Sequence, residues 1–160
     1  MLYRVRMPVL GEICVAPDPR NSASAGDAAE LAHVVLDEPC DPALFIAGGV
    51  VCASRNVVEA LRELHATGFQ IRPVLLSLNE QYAVTHPGEA ASLPAGIVEL
   101  VITGCVALSR RGTCESWSGD DVARTRSGIV VVSGRCAERI RPIVECEGIV
   151  LQPLRSATAT

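Results

Sequence analysis

The chain contains 160 residues, of which 49% are hydrophobic, and its formal net charge is −4. This length and apolar content predict one folded domain spanning residues 1–160 and exclude a disordered chain. A mildly acidic chain has no general attraction for phosphate backbones, and no apolar run reaches the roughly 20 residues of a membrane span, so neither a nucleic acid nor a membrane is an expected partner.

The first predicted element is a strand near the N-terminus. Residues 2–7, LYRVRM, alternate apolar and polar side chains as a half-buried strand does. Because arginines interrupt this apolar stretch, it lacks the pattern of a secretory signal peptide, and we expect a cytoplasmic protein. Residues 17–29 are predicted to form a polar loop, and the pattern of residues 28–36 fits either a short helix or a strand.

A strand-helix-strand unit is predicted over residues 44–78. Residues 44–54 form an apolar run that predicts a buried strand with a bend at Gly48 and Gly49, and Ser54 suits the N-cap of a helix. Apolar residues then recur at helical spacing, at Val57, Val58, Leu61 and Leu64. Gly68 is a typical residue to end such a helix. Residues 70–78 then return as a strand, in which Pro73 indicates a sheet edge or a strand end.

A loop, a long strand and a turn follow this unit. Residues 79–96 contain several Pro and Gly residues and are predicted to form a loop. The longest apolar run, residues 97–109, predicts one central strand, in which Gly104 is interpreted as a bulge. Residues 110–121 are predicted to form a polar turn and a short strand.

The C-terminal segment, residues 128–154, repeats the design of residues 44–78. The matching positions are those that matter for folding: strand apolars, the N-cap serine, an inward helix position, a glycine and the closing proline. These pairs are Gly49 and Gly128, Val51 and Val130, Ser54 and Ser133, Leu61 and Ile140, Gly68 and Gly148, and Pro73 and Pro153. Because each amphipathic unit must cover its apolar face, we predict an α+β fold in which one central β-sheet carries two short helices. Pro142 is expected to kink or end the second helix after about two turns.

The order of these elements resembles the immunity proteins of bacterial polymorphic toxin systems. Members of that superfamily often carry the pattern VSERVRDALE…GVRFRPL near the C-terminus, and the matching residues here are Val132, Ser133, Arg135, Glu138, Gly148, Ile149, Pro153 and Leu154. The resemblance covers residues 44–154, and Pro142 departs from it. The chain is also similar in size and composition to the peptide-binding accessory proteins of crocagin biosynthesis, a ribosomal-peptide pathway. Both resemblances imply a protein that holds a peptide or protein chain without chemistry.

Residues suited to catalysis or metal binding are scattered through the sequence. The three histidines are His33, His65 and His86. None of them has another metal-ligating residue at a spacing typical of metal sites. The seven cysteines include no C-x-x-C pair, which favours buried, reduced thiols, and Cys52 and Cys105 lie in apolar runs. The chain has no lysine, which excludes a Schiff-base lysine. We expect no catalytic residue, metal or cofactor. A small hydrolase or metal-dependent enzyme that uses Cys or His is the alternative.

Four residues in the unrepeated segments are candidates for binding a partner. Trp117 is the only tryptophan and lies in a polar segment, where it serves either as an interface anchor or as a lid over the core. Arg110 and Arg111 lie close to it in sequence and are suited to pairing with a partner's carboxylates. Tyr82 is the other exposed-looking aromatic residue. An open sheet edge is a further candidate, because an edge accepts a peptide by strand addition.

These observations predict a non-catalytic peptide-binding protein of the bacterial cytoplasm. Its expected ligand is a precursor peptide in the biosynthesis of a ribosomal peptide natural product. The alternative within the same class is an immunity protein that neutralises a cognate toxin by binding it. We also expect a homodimer, because a short sheet with an open edge and few surface charges favours pairing.

Overall fold

The computed structural model describes residues 1–15, 31–88 and 92–155. Within these residues it contains twelve strands and three helices, which confirms the predicted α+β class. The strands are β1 (Leu2–Arg6), β2 (Val9–Val15), β3 (Ala32–Leu36), β4 (Leu44–Ala47), β5 (Val50–Ala53), β6 (Phe69–Leu78), β7 (Val98–Ile102), β8 (Gly104–Leu108), β9 (Cys114–Trp117), β10 (Val122–Arg124), β11 (Val130–Ser133) and β12 (Val150–Pro153). The helices are α1 (Arg55–Glu63), α2 (Glu80–Thr85) and α3 (Gly134–Val144), and a 3₁₀ turn at Glu145–Glu147 follows α3. The predicted loop at residues 17–29 lies outside the described residues.

The strands in the described part of the chain form two sheets, whereas the sequence predicts one. The first is an open sheet in the order β12-β1-β11-β10-β8-β9, and the second is a barrel closed in the order β2-β3-β6-β7-β5-β4. The apolar run predicted as one central strand is divided, because it supplies β7 to the barrel and β8 to the open sheet. Gly104 is therefore not a bulge but the first residue of β8. A Cβ atom there would lie 2.2 Å from the carbonyl oxygen of Val122, so only glycine permits the neighbouring strand to approach this closely.

The two sheets have the same internal order. Starting from β6, the barrel runs β6-β7-β5-β4-β2-β3, which matches the open sheet place by place. The first half, β1–β6 with α1, thus corresponds to the second half, β7–β12 with α3. The first strand of each half is exchanged: β1 lies between β11 and β12, and β7 lies between β5 and β6. The repeat is therefore larger than the two units detected in the sequence.

The main hydrophobic core includes residues of both sheets and buries one face of α1 and one face of α3. The buried residues of α1 are Val57, Val58, Ala60 and Leu61, and those of α3 are Cys136, Ala137, Ile140 and Val144. Burying a large aliphatic side chain contributes about 1.5–3 kcal/mol. Because the two helices hold equivalent positions, this shared core joins the two halves.

The helix termini follow the predictions in part. Both Ser54 and Ser133 are N-caps as predicted, although only Ser133 accepts a side-chain hydrogen bond, from the amide of Cys136. The helix α1 ends at Glu63, before the predicted stop at Gly68. The second helix does not end at Pro142, because α3 continues to Val144. The proline lies in the last turn, where its missing N–H removes only one helical hydrogen bond.

Several other segments differ from the predictions. Residues 44–54 form a hairpin rather than one strand, with the turn at Gly48 and Gly49, whose φ values are 50° and 91°. The predicted loop at residues 79–96 contains α2, which begins after Asn79. Residues 32–36 form a strand, which settles the ambiguity there. Pro73 is the last residue of β6 that pairs with β7, and pairing with β3 begins at Val74, so the proline lies where the strand changes partners.

Candidate binding groove

In residues 92–155, the described part of the second half, the sheet is open along a seam that is closed in the first half. In the barrel, β3 pairs with β6 over five residue pairs, from Ala32 with Val74 to Leu36 with Leu78. The equivalent strands β9 and β12 are not paired among the described residues, where one isolated parallel bridge links Thr113, just before β9, with Arg155, just after β12. Strand β6 has ten residues, whereas β12 has four in the part of the chain described, which ends at Arg155. A groove of about 1180 Å³ lies in this open half.

Arginines are the main polar residues that line this groove. Seven of the lining residues are arginines, and no lining residue is acidic. They are Arg4, Arg6, Arg110, Arg111, Arg124, Arg126 and Arg155. This set is half of the 14 basic residues in a chain whose net charge is −4. The site, which we call the arginine groove, therefore concentrates positive charge and attracts an anionic ligand.

The arginines of the groove are not neutralised by acids in residues 1–15, 31–88 and 92–155. The five ion pairs found there use other arginines, namely Arg55, Arg72, Arg135, Arg139 and Arg141. Arg124 donates a hydrogen bond of 3.0 Å to the backbone oxygen of Gly49, which orients the guanidinium without cancelling its charge. A free guanidinium can pair with a carboxylate through two parallel hydrogen bonds.

The closed barrel contains an acid where the groove contains an arginine. In the barrel, Arg72 on β6 and Glu99 on β7 are cross-strand partners, and their ion pair measures 3.0 Å. The equivalent cross-strand partners in the second half are Gln152 on β12 and Arg4 on β1. Arg4 therefore takes the place of the buried acid Glu99, which is 6% exposed. The barrel thus has an ion pair with no net charge where the groove has one positive charge.

A smaller side chain also lies at the interior of the open half. Phe45 on β4 is fully buried in the barrel and lies opposite Cys52. The equivalent residue on β10 is Ala123, which lies opposite Val131. The second half therefore has no aromatic ring at the position where Phe45 fills the interior of the barrel. The apolar residues Val106, Leu108 and Ile129 line the groove in addition to the arginines.

The structure places two of the four predicted binding residues in the arginine groove. Arg110 and Arg111 follow β8 and line it. Trp117 does not line it, although its neighbour Ser116 does. Trp117 is 42% exposed, and its indole N–H donates a hydrogen bond of 2.8 Å to the backbone oxygen of Asp120. Because the ring lies at the surface, the exposed position favours the interface interpretation over a lid on the core.

Tyr82 lies at a separate place on α2. Its ring stacks on His86, with centroids 4.3 Å apart and an interplanar angle of 14°. These two residues line a smaller pocket of about 540 Å³ together with Asp37 and Glu38. The acids give this pocket the opposite charge to the arginine groove. Tyr82 and the groove arginines therefore do not form one site.

The histidines make separate local contacts. Nε2 of His33 lies 2.9 Å from Oγ of Ser77, and Nδ1 of His65 lies 3.0 Å from the backbone oxygen of Arg62. Within the described residues, no three His, Cys, Asp or Glu side chains lie close enough together to hold a metal ion. The three histidines therefore do not form a common site.

The cysteines differ in burial. All six whose side chains are described are free, and Cys52 and Cys136 are buried. Burial, with a smaller contribution from the charge of Glu99, raises the pKa of Cys52 to about 12. Burial also raises the pKa of Cys136, so both thiols stay protonated and unreactive at neutral pH. Cys105 is exposed, contrary to the prediction, because it alternates with the buried Gly104 and Val106 along β8.

Five of the groove arginines were not among the predicted binding residues, namely Arg4, Arg6, Arg124, Arg126 and Arg155. A local signal existed, since two pairs are spaced two residues apart, as side chains on one face of a strand are. Their convergence depends on the exchange of β1 into the sheet of the second half. No local pattern predicts that exchange.

No helix in the described residues is both long and apolar enough to cross a bilayer. The chain matches no model of a known protein family, and no curated protein is significantly similar to it.

Proposed function

We propose that this protein is a non-catalytic binding protein that holds an acidic peptide segment in the arginine groove. The observation that carries the proposal is the presence of seven arginines and no acid around one groove. Aspartate and glutamate carboxylates are the peptide groups that pair with guanidinium in two parallel hydrogen bonds. The cytoplasm is the expected compartment, and a precursor peptide of a ribosomal natural product is the expected ligand.

The size of the groove supports a peptide rather than a small anion. Its volume of about 1180 Å³ lies above the range of about 300–1,000 Å³ that is typical of small-molecule pockets. A segment of several residues also uses the apolar lining at Val106, Leu108 and Ile129, which a free phosphate or carboxylate does not contact.

The composition supports a peptide over a nucleic acid. Outside the groove the protein is acidic overall, since the chain carries a net charge of −4 although half of its arginines lie in the groove. Only 3% of the residues are aromatic, and none of the groove residues is, so the stacking platforms that hold single-stranded bases are absent from it. An acidic peptide needs neither a long basic surface nor stacking.

The test is a titration with short peptides of defined charge. The probe is a labelled, acetylated and amidated hexapeptide of alternating Glu and Thr, and its neutral counterpart has Gln in place of Glu. We expect the acidic peptide to bind, as measured by fluorescence anisotropy, and its affinity to fall as salt increases. The neutral peptide should not bind measurably at the same concentrations.

The groove is tested by a double variant with a matched control. Arg4→Gln combined with Arg6→Gln should weaken binding of the acidic peptide at least tenfold, since each charged hydrogen-bonded pair contributes about 1.5–3 kcal/mol. Arg62→Gln removes one charge from an exposed residue of α1 outside the groove and should leave the affinity unchanged. Equal binding of the acidic and neutral peptides, or an unchanged affinity of the double variant, would contradict the proposal.

A further inference from the structure

We infer that the acidic segment presents a large apolar side chain between two acidic residues, with all three side chains on one face of an extended chain. This inference rests on the proposed function, because it concerns the same segment in the same arginine groove. It narrows the ligand class to one order of side chains: acid, spacer, apolar residue, spacer, acid.

The arginines of β1 share one face of the open sheet with the apolar lining of the groove. Alternate residues of a strand point to the same face, so Arg4 and Arg6 lie on the face of Leu2. Leu2 is buried in a cluster whose partly buried members include Leu108 and Ile129, and both of these residues line the groove. A ligand chain on this face therefore meets positive charge and apolar surface together.

An apolar side chain lies directly beside one of these arginines. Val5 on β1 pairs with Val130 on β11 in antiparallel register. The adjoining residues, Arg6 and Ile129, are therefore neighbours across the two strands. An extended ligand advances about 6.5–7 Å between side chains on one face. When one carboxylate of the ligand pairs with Arg6, the next side chain on the same face lies over the apolar lining.

Two further arginines lie at the other end of the apolar lining. Arg110 and Arg111 come shortly after Leu108 and line the groove. A hydrogen bond of 2.9 Å from the amide of Ser109 to the backbone oxygen of Thr113 holds their turn. In the order β1-β11-β10-β8, the strand that carries Leu108 lies three strand spacings from β1, which is about 14 Å. Arginines therefore flank the apolar lining on two sides.

These spacings determine the order of side chains in the ligand. An extended chain advances about 3.3 Å per residue, so about four residues cover the width from β1 to β8. Residues i, i+2 and i+4 of such a chain share a face. Acids at i and i+4 reach the arginines on the two sides, and the side chain at i+2 lies over the apolar lining. An apolar residue is favoured at i+2, because contact with this lining removes it from water.

The experiment compares three capped pentapeptides of equal charge by isothermal titration calorimetry with the full chain. The first is acetyl-Glu-Thr-Leu-Thr-Glu-amide, called the leucine peptide. The threonine peptide has Thr in place of Leu, and the reordered peptide, Leu-Thr-Glu-Thr-Glu, has the same composition with the leucine at one end. We expect the leucine peptide to bind about tenfold more tightly than the threonine peptide and about fivefold more tightly than the reordered peptide.

The apolar contact is tested on the protein by Leu108→Ala with a matched control. This variant should reduce the preference for the leucine peptide over the threonine peptide from about tenfold to about threefold or less. Its affinity for the threonine peptide should stay within about twofold of the unaltered chain, which also checks that the groove is folded. Leu75→Ala removes a leucine that is 52% exposed and lies outside the groove, and it should leave the preference unchanged.

The possible results separate the two proposals. If the leucine peptide binds no better than either control peptide, or if Leu108→Ala keeps the full preference, the inference is wrong while the groove remains an acidic-peptide site. If none of the three peptides binds, the proposed function is wrong and the inference with it. If Leu108→Ala does not fold, the three peptides titrated against the unaltered chain decide. Tighter binding of the leucine peptide than of both controls, and loss of its preference in Leu108→Ala, support the inference.

Discussion

Asp121 is a buried carboxylate that links the two halves of the molecule. It is 6% exposed. Its Oδ1 accepts hydrogen bonds of 2.7 Å from Oγ of Ser133 and from Nε of Arg135, and its Oδ2 accepts one of 3.1 Å from the amide of Thr67. Thr67 belongs to the first half and the other partners belong to the second. We predict that Asp121→Asn destabilises the fold, because the amide keeps the shape but loses the charge and one acceptor.

The magnitude follows from the pKa of this carboxyl group. The hydrogen bond from Arg135 lowers the pKa of Asp121 most, burial opposes it, and the bonds from Ser133 and Thr67 lower it further, from 3.8 to about 2. A fall of this size corresponds to at most about 2.5 kcal/mol of folding free energy, at about 1.4 kcal/mol per pKa unit, and solvent around the half-exposed Arg135 reduces it to about 2 kcal/mol. Because the pKa is lower in the folded state, this stabilisation is present above pH 4 or so and is lost as the pH falls through about 2.

The assay is urea unfolding followed by far-UV circular dichroism at pH 7, 4 and 2.5. We expect Asp121→Asn to cost about 2 kcal/mol at pH 7 and less than half of that at pH 2.5. The matched control is Asp120→Asn, since this neighbouring carboxylate accepts an exposed hydrogen bond of 2.7 Å from Ser118. It should cost less than about 0.5 kcal/mol. Equal costs for the two variants at pH 7, or a cost for Asp121→Asn that does not decline with pH, would refute the reasoning.

Three further predictions concern the barrel and the point where the chain passes between the sheets. Phe45→Ala should lower the free energy of unfolding by about 3–5 kcal/mol in the same urea assay, because Phe45 is fully buried; a loss below 1 kcal/mol or so would show that the ring does not fill the barrel. Glu99→Gln should lower the free energy of unfolding by about 3 kcal/mol, since it leaves the charge of Arg72 uncompensated. Adding Arg72→Gln should restore part of this stability, and a double variant no more stable than Glu99→Gln would contradict the prediction. Gly104→Ala should lower the Tm more than Gly112→Ala, because a Cβ at Gly104 meets the Val122 backbone, whereas a Cβ at Gly112 has no atom within 4 Å and adds only the backbone strain of its φ of 76°; similar Tm values for the two variants would disprove the close approach.

The elements with strong local patterns were predictable from the sequence. The alternation at residues 2–7, the apolar spacing of α1 and the repeated serine and proline positions all correspond to elements of the structure. Local pattern cannot show a change of sheet. The apolar run at residues 97–109 continues through Thr103 with no break in hydrophobicity, although β7 and β8 on either side belong to different sheets. Only the close approach at Gly104, a contact between residues distant in sequence, marks the passage.

Only part of the arginine groove was predictable from the sequence. Arg110 and Arg111 were recognised because they form a polar cluster in one turn. Arg4 and Arg155 lie at opposite ends of the sequence, and they line one groove because β1 joins the sheet of the second half beside β12. Convergence of this kind depends on topology. Charge composition alone indicates the reverse, since the chain as a whole is acidic.

The difference between the two halves is the strongest argument that the groove has a function. Both halves have the same strand order, yet the first is closed, holds Phe45 in its interior and neutralises Arg72 with Glu99. At the equivalent places the second half has Ala123 and, among the described residues, an Arg4 without an acidic partner. Each of these differences lowers the stability of that half, because like charges repel and an unfilled interior loses packing contacts. Departures from local stability that all act on one site are typical of functional sites. The closed half shows that this architecture does not itself require an open, positively charged interior, which is the reason for proposing that the arginine groove binds a ligand.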